Sequence, residues 1–276
     1  MSQSTLNTAD QAWSTTAPNY AANVGRTSAI SASRLMDLGH GLSRITTESS
    51  ILDVGAGTGA VTSAVASKFP STKILATDIS ASMLGDIDAL KFPNVSTKVL
   101  DARTLSKEFV QKSFSHVFNA FMLQTITNPM TALGEMRDVL VPGGVLAVGI
   151  WGQRNSPFEI WEQAVQLLDS TYQLPAPFDD PKAWRTEEEL QGALKEMGFQ
   201  HVRSEEIKVP FEFESAEAFE DFWFKAKNPA SLQCINSFEG DMESVKEAMK
   251  KIVKENYADG KGICTWAVLG IGQKTS

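Results

Sequence analysis

Cysteine, histidine and tyrosine are scarce in this 276-residue chain, at two, three and three. Two cysteines, Cys234 and Cys264, cannot staple a small disulfide scaffold, so the expectation is a pair of reduced thiols in a cytoplasmic protein. The histidines stand far apart at 40, 116 and 201, and neither Cys-x-x-Cys nor His-Glu-x-x-His occurs, so no metal site is expected. Basic charge is short as well. Twenty-five Lys and Arg face 33 Asp and Glu for a net −8, with no basic cluster, which argues against nucleic acid and anionic lipid as partners. No apolar run approaches the roughly 20 residues of a membrane-spanning helix, and Met1 to Pro18 is a polar arm without an apolar signal core. Against these absences stands an ordinary globular composition, 42% hydrophobic and 21% charged.

Helical and extended patterns alternate through the first half. Residues 21–44 have apolar positions three or four apart. The short run Ile51-Leu52-Asp53-Val54 ends in Gly55-Ala56-Gly57-Thr58-Gly59, and Ala60 to Phe69 follows as a helix stopped by Pro70. Strands are expected at 73–77, 95–100, 114–121 and 145–151, with helices at 82–90, 106–111 and 129–140 between them. Strand–helix alternation implies βαβ units, a parallel sheet and a ligand beyond the carboxyl ends of the strands. Those ends carry Asp53, Asp78, Asp101, Asn119 and Trp151. Beyond Trp151 come helices at 161–172 and 186–197, strands at 201–213 and 263–273, and between these strands a helical, aromatic stretch at 215–257. It is too long for a hairpin turn and reads as a cover over the strand ends.

A Gly-x-Gly turn between strand and helix lets backbone N–H groups approach a ligand, since no Cβ intervenes. Gly55, Gly57 and Ala60 also fit a dinucleotide fingerprint, with Asp78 near the expected ribose-binding spacing of about 20 residues. Two acids argue against a nicotinamide dehydrogenase. Asp53 stands where a pyrophosphate would arrive, and Asp101 adds a carboxylate that such a site does not need. A ligand with a ribose diol, an adenine amino group, an ammonium group and a net positive charge would use all three.

Four segments carry a resemblance: residues 51–59, the run Ala76-Thr77-Asp78-Ile79-Ser80 with Met83, the run Leu100-Asp101-Ala102, and Leu140-Val141-Pro142-Gly143-Gly144. In this order the chain resembles the class I S-adenosylmethionine-dependent methyltransferases, in the small-molecule branch that includes ubiquinone-, menaquinone- and secondary-metabolite enzymes. The resemblance implies a Rossmann-like, doubly wound α/β fold. Its seven-stranded sheet would be mostly parallel with an antiparallel last strand, and the helical cover would be inserted between the last two strands. The domain would comprise an N-terminal arm and helix (1–44), a cofactor half (45–151) and a substrate half (152–276).

It also implies roles. Gly55, Ala56 and Gly57 would pass the methionine portion of the cofactor S-adenosylmethionine, with Asp53 near its ammonium group. Asp78 would hold the ribose hydroxyls, Ile79 and Met83 the adenine faces, and Asp101 with Ala102 the adenine edge. Asn119 would approach the methionine end, and Tyr20 would close over the carboxylate. Where relatives often have Phe-Asp and a histidine, this chain has Phe114-Ser115 and Gln124-Thr125, so no catalytic base is assigned.

Trp13, Gln124, Trp151, Phe222 and Trp223 are the candidates for a pocket around a small-molecule acceptor, although the aromatic cluster at 219–224 also suits the cover's own packing. His116 reads as a satisfied core histidine, His40 as a helix C-terminal partner, and Cys264 as core. The expected activity is methyl transfer to N, S, C or O of that acceptor. The alternative is a methyltransferase-like fold that binds the cofactor but acts as a regulatory partner or non-methylating catalyst.

Overall fold

The computed structural model describes residues 24–109, 113–175, 184–226 and 229–275. Seven strands form one sheet: β1 (Ser50–Val54), β2 (Lys73–Asp78), β3 (Val95–Val99), β4 (Phe114–Ala120), β5 (Leu140–Asn155), β6 (Phe199–Pro210) and β7 (Cys264–Lys274). Their order across the sheet is β3-β2-β1-β4-β5-β7-β6. The first five run parallel, and β7 is antiparallel to both neighbours. The chain winds outward from β1 to β3, then returns to place β4 on the other side of β1. That reversal opens a crevice at the carboxyl ends of β1 and β4.

Alternation along the strands sends side chains to two helical layers. Leu52, Val54, Val117, Leu146 and Val148 pack with α5 (Pro129–Val139) and α7 (Glu187–Glu196). Ile51, Phe118, Ala147 and Leu269 pack on the opposite face with α1 (24–42) and α2 (Ala60–Lys68). Short helices α3 (Ala81–Ala89) and α4 (Leu105–Glu108) complete the first half. A separate aromatic core joins α6 (Ser156–Gln166), α8 (Ala216–Lys225), α9 (Pro229–Asn236) and α10 (Met242–Asn256) into the cover, with Trp161, Phe219 and Trp223 buried at its centre.

Local chemistry explains most boundaries. Thr186 and Glu189 form a reciprocal capping box at the start of α7, satisfying two helix-end donors. His40 Nδ1 accepts the Ile45 N–H just past α1. His116 is fully buried, its Nε2 donating to the Ser43 carbonyl at 2.9 Å. Two expectations shift. β5 starts at Leu140, not Val145, because Pro142-Gly143-Gly144 bulges within the strand: Phe114 pairs with Leu140 and His116 with Val145. A Cβ on Gly144 would come within 2.9 Å of the Val141 carbonyl, so only glycine fits that fold-back. Helix α6 starts at Ser156, five residues before Trp161. Pro157 in its first turn accounts for this, since proline's fixed φ and missing N–H suit a helix start.

Candidate active site

The glycine loop leaves β1 with three left-handed residues, Gly55 (φ 65°), Gly57 (φ 53°) and Gly59 (φ 89°). Hydrogen bonds hold it to the end of β2. Ala56 N–H donates to the Thr77 carbonyl at 2.9 Å, and Gly57 N–H donates to Asp78 Oδ2 at 2.8 Å. Asp78 Oδ1 accepts the Ser80 N–H at 2.9 Å, so this half-buried carboxylate bridges the loop and the start of α3. Ile79 beside it is half-buried and Met83 is buried.

Asp53 lies beneath the loop, 1% exposed. Thr62 on α2 donates its N–H and its hydroxyl to Asp53 Oδ2 at 3.0 and 2.7 Å. Burial pushes the Asp53 carboxyl up to about 7; the two Thr62 bonds oppose this and the Asp78 charge adds to it. On the neighbouring strand, buried Asn119 donates Nδ2 to the Val54 carbonyl at 2.7 Å, while its Oδ1 has no partner among the described residues.

Asp101, expected from the resemblance to read the adenine edge with Ala102, is paired with Arg103. Arg103 grips both its oxygens, Nε to Oδ1 at 2.9 Å and Nη2 to Oδ2 at 3.1 Å, and the Arg103 N–H also reaches Oδ1. Asp101 therefore caps the short turn that contains Ala102, and a ligand amine there would have to share it with a guanidinium.

At the end of β4 the chain bends through Phe121, whose φ of 64° is unusual for an aromatic residue. The bend places Met122 against Gly55, so close that a Cβ on Gly55 would lie 2.6 Å from Met122 Cγ. The Phe121 ring stacks on Trp151 in the last third of β5, centroids 3.7 Å apart and planes 10° off parallel. Beyond that stack a cavity of about 390 Å³ opens between the sheet and the cover. Gly55, Met122, Phe121 and the cavity thus form one continuous path.

Sequence profiles and solved structures agree with this geometry. Residues 51–144 match the profile of a family described as "Methyltransferase domain". Among curated proteins the chain is similar to methyltransferase ucsB of Acremonium sp, 25% identical over 207 residues that cover 69% of each chain. It is also similar to the ubiquinone/menaquinone biosynthesis C-methyltransferase UbiE of Bordetella parapertussis, 40% identical over 102 residues. That second match covers 36% of this chain and 39% of the relative, so the chain aligns with well under half of that protein's length. The fold is shared with the YcgJ protein of Bacillus subtilis at a TM-score of 0.56 and 16% identity, covering 88% of this chain and 99% of that one. Residues 51–144 form a methyltransferase domain, and the chain is similar to class I S-adenosylmethionine-dependent methyltransferases.

The loop of this methyltransferase domain has features that fit S-adenosylmethionine. A Cβ on Gly57 would meet nothing within 4 Å, so open space faces the loop there. The Asn119 oxygen is a buried acceptor without a partner, of the kind an ammonium group satisfies. Both Thr62 bonds fall on one oxygen of Asp53.

Of the acceptor-side candidates, Gln124, Trp151, Phe222 and Trp223 line the cavity. Gln124 spends its amide on the wall itself. It donates to the Trp151 and Trp184 carbonyls and accepts the Trp151 N–H at 2.6 Å, which makes it a brace rather than a free contact. Trp13 and Tyr20 lie outside the described residues. Sequence reasoning missed Phe121, Met122 and Arg103, and none has a local pattern that would reveal it. It also missed Asn155, Glu159 and Glu162 on the cavity wall, where Asn155-Ser156-Pro157 was a readable helix start.

Proposed function

We propose that this methyltransferase moves a methyl group to an apolar small molecule held in the cavity beyond the Phe121–Trp151 stack. The observation that carries the reading is continuity: the glycine loop touches Met122, and the preceding residue, Phe121, is a wall of the cavity. The division of labour follows, with residues 45–151 holding the cofactor and 152–276 the acceptor. One relative's name, ubiquinone/menaquinone biosynthesis C-methyltransferase, supports the same acceptor class.

S-adenosylmethionine supplies, when bound, a methyl group on a good sulfonium leaving group. The chain's share is placement and exclusion of water. Gly55, Ala56 and Gly57 leave room for the methionine portion. Asp53 and Asn119 present oxygen to its ammonium group, and Asp78 accepts from the ribose hydroxyls in a charge-assisted pair. Ile79 and Met83 flank the adenine, and Asp101 with Ala102 borders its edge. The stacked rings of Phe121 and Trp151 give a flat acceptor a rigid surface, and the cover closes the cavity against solvent.

Two buried, unpaired thiols support a reducing, cytoplasmic setting. No helix of the described residues is long and apolar enough to cross a membrane. The net −8 disfavours nucleic-acid acceptors.

Calorimetric titration with S-adenosylhomocysteine tests the cofactor assignment. Wild type binds, and Asp78→Ala, which removes the proposed ribose acceptor and the Gly57 tether together, binds at least about tenfold more weakly. No binding by wild type, or unchanged affinity in Asp78→Ala, overturns it. Incubation with methyl-labelled cofactor and a small-metabolite extract yields a labelled product. Tight binding with no labelled product would instead mark a cofactor-binding protein that does not methylate.

A further inference from the structure

Three buried polar atoms on the cavity wall have no hydrogen-bond partner among the described residues: Asn155 Oδ1, Thr265 Oγ1 and Trp223 Nε1. Thr265 and Trp223 are each 1% exposed. Folded proteins rarely leave buried polar atoms unpaired, so three around one cavity describe a ligand's polar pattern in negative.

Their placement is built in. Asn155 on β5 and Thr265 on β7 are partners across the antiparallel ladder, which sends both side chains to the same face. Asn155 also occupies the N-cap position of α6, where asparagine ordinarily bonds to the helix end. Its side chain makes no such bond, and Glu159 takes the Asn155 N–H instead at 3.1 Å. Trp223 comes from the cover. Trp161 stacks on it at 5.6 Å and Phe158 meets it edge-on at 5.3 Å, so the direction of its N–H is set by packing.

The three atoms differ in what they accept. Asn155 Oδ1 only accepts, the Thr265 hydroxyl gives or accepts, and the Trp223 indole only donates. A hydroxyl satisfies the first two together, and a carbonyl or ether oxygen satisfies the third. Around them the walls are aromatic, including Phe121, Trp151 and Phe222. Charge sets a further limit. Two carboxylates, Glu159 and Glu162, border the cavity against one guanidinium, Arg185, so an anionic ligand meets more repulsion than attraction. At about 390 Å³ the space suits a molecule of roughly two fused rings.

We propose that the acceptor is an uncharged, flat, largely apolar molecule with two oxygen functions, a hydroxyl held between Asn155 and Thr265 and a carbonyl or ether oxygen on the Trp223 N–H, and that Glu159 and Glu162 turn carboxylated molecules away. This rests on the methyltransferase reading of the same site.

Calorimetry on the full chain with S-adenosylhomocysteine present tests it with three probes: 7-hydroxychromone, its 2-carboxylate, and naphthalene. Wild type binds 7-hydroxychromone at least about tenfold more tightly than the carboxylate, and Glu159→Gln with Glu162→Gln narrows that gap. Thr265→Val, close in shape to the original, weakens 7-hydroxychromone about tenfold and leaves naphthalene unchanged; Trp223→Phe, which removes the N–H together with one ring, weakens 7-hydroxychromone more than it weakens naphthalene. Thr265→Ser, which restores the hydroxyl, restores binding. Thr265→Val melts no lower than wild type, because it removes an unpaired buried hydroxyl, so its loss of binding does not come from unfolding.

Equal binding of the neutral and carboxylated chromones, no binding of 7-hydroxychromone, or full affinity in both Thr265→Val and Trp223→Phe overturns the proposal. If S-adenosylhomocysteine binds wild type while the chromone pattern is absent, only this acceptor assignment falls. If S-adenosylhomocysteine itself does not bind, the methyltransferase reading falls first.

Discussion

Two glycines in one loop make opposite demands, and replacing each with alanine separates them. At Gly55 the added Cβ would lie 2.6 Å from Met122 Cγ and 2.7 Å from Met122 Cβ. These are the near atoms of that side chain, so a rotation of its tip cannot relieve the overlap. Alanine at the left-handed φ of 65° costs about 1–2 kcal/mol. Forcing Met122 away from the loop costs about 1–3 kcal/mol more, the usual range for overpacking. Gly55→Ala therefore loses about 2–5 kcal/mol of stability. At about 2–4 °C per kcal/mol for a protein of this size, its melting temperature falls on the order of 10 °C.

At Gly57 the backbone cost recurs, because φ is 53°, but the added Cβ meets nothing within 4 Å. The loss is then only about 1–2 kcal/mol. The new methyl instead enters the space assigned to the cofactor, so S-adenosylhomocysteine affinity drops at least about tenfold. Scanning calorimetry and ligand titration on the pair give a crossed result: Gly55→Ala is hurt more in melting temperature, and Gly57→Ala more in affinity relative to its stability loss. If Gly57→Ala binds like wild type, the open space beside it is not the cofactor path. If it melts below Gly55→Ala, the Met122 contact is not what limits the loop.

Other consequences follow from named contacts. Asp53 titrates at about 7 when folded against 3.8 unfolded, so the folded chain holds an extra proton between those values. Its contribution is fully present below pH 3.8 and is lost as pH rises toward 7, so wild type loses melting temperature relative to Asp53→Asn across that window; parallel melting curves for the two would refute the assignment. Thr186→Ala breaks the capping box of α7 and lowers stability by about 1 kcal/mol, read as a melting shift of about 2–4 °C, while Thr186→Asp retains most of it. Burial, with the Glu162 charge adding, pushes the Cys234 thiol up to about 12, so native protein at pH 8 resists iodoacetamide at that residue and unfolded protein does not, as peptide mass spectrometry would record.

The glycine loop and its flanking acids were legible because close backbone approach restricts residue choice. A left-handed turn at the end of a buried strand admits little besides glycine, so the loop at 55–59 announces itself, and the acids at 53 and 78 mark strand ends on either side of it. The alternation of helix and strand likewise gave the parallel sheet and the inserted cover, because side-chain periodicity is local. What stayed hidden depends on how the folded chain brings side chains and backbone together. Asp101 looks like a free carboxylate until the turn after β3 folds Arg103 back onto it. Gln124 looks like a polar pocket residue until the Trp151 and Trp184 backbones claim its amide. Phe121 looks like an ordinary strand residue until its bend aims Met122 at the loop. The cavity is the extreme case: Asn155 and Thr265 are over a hundred residues apart and meet only because β7 runs antiparallel beside β5. An unpaired hydrogen bond is a property of the assembled wall and of no single residue. The specificity proposed for this protein therefore resides where sequence patterns are weakest, in buried polar atoms that the fold leaves without a partner among the described residues.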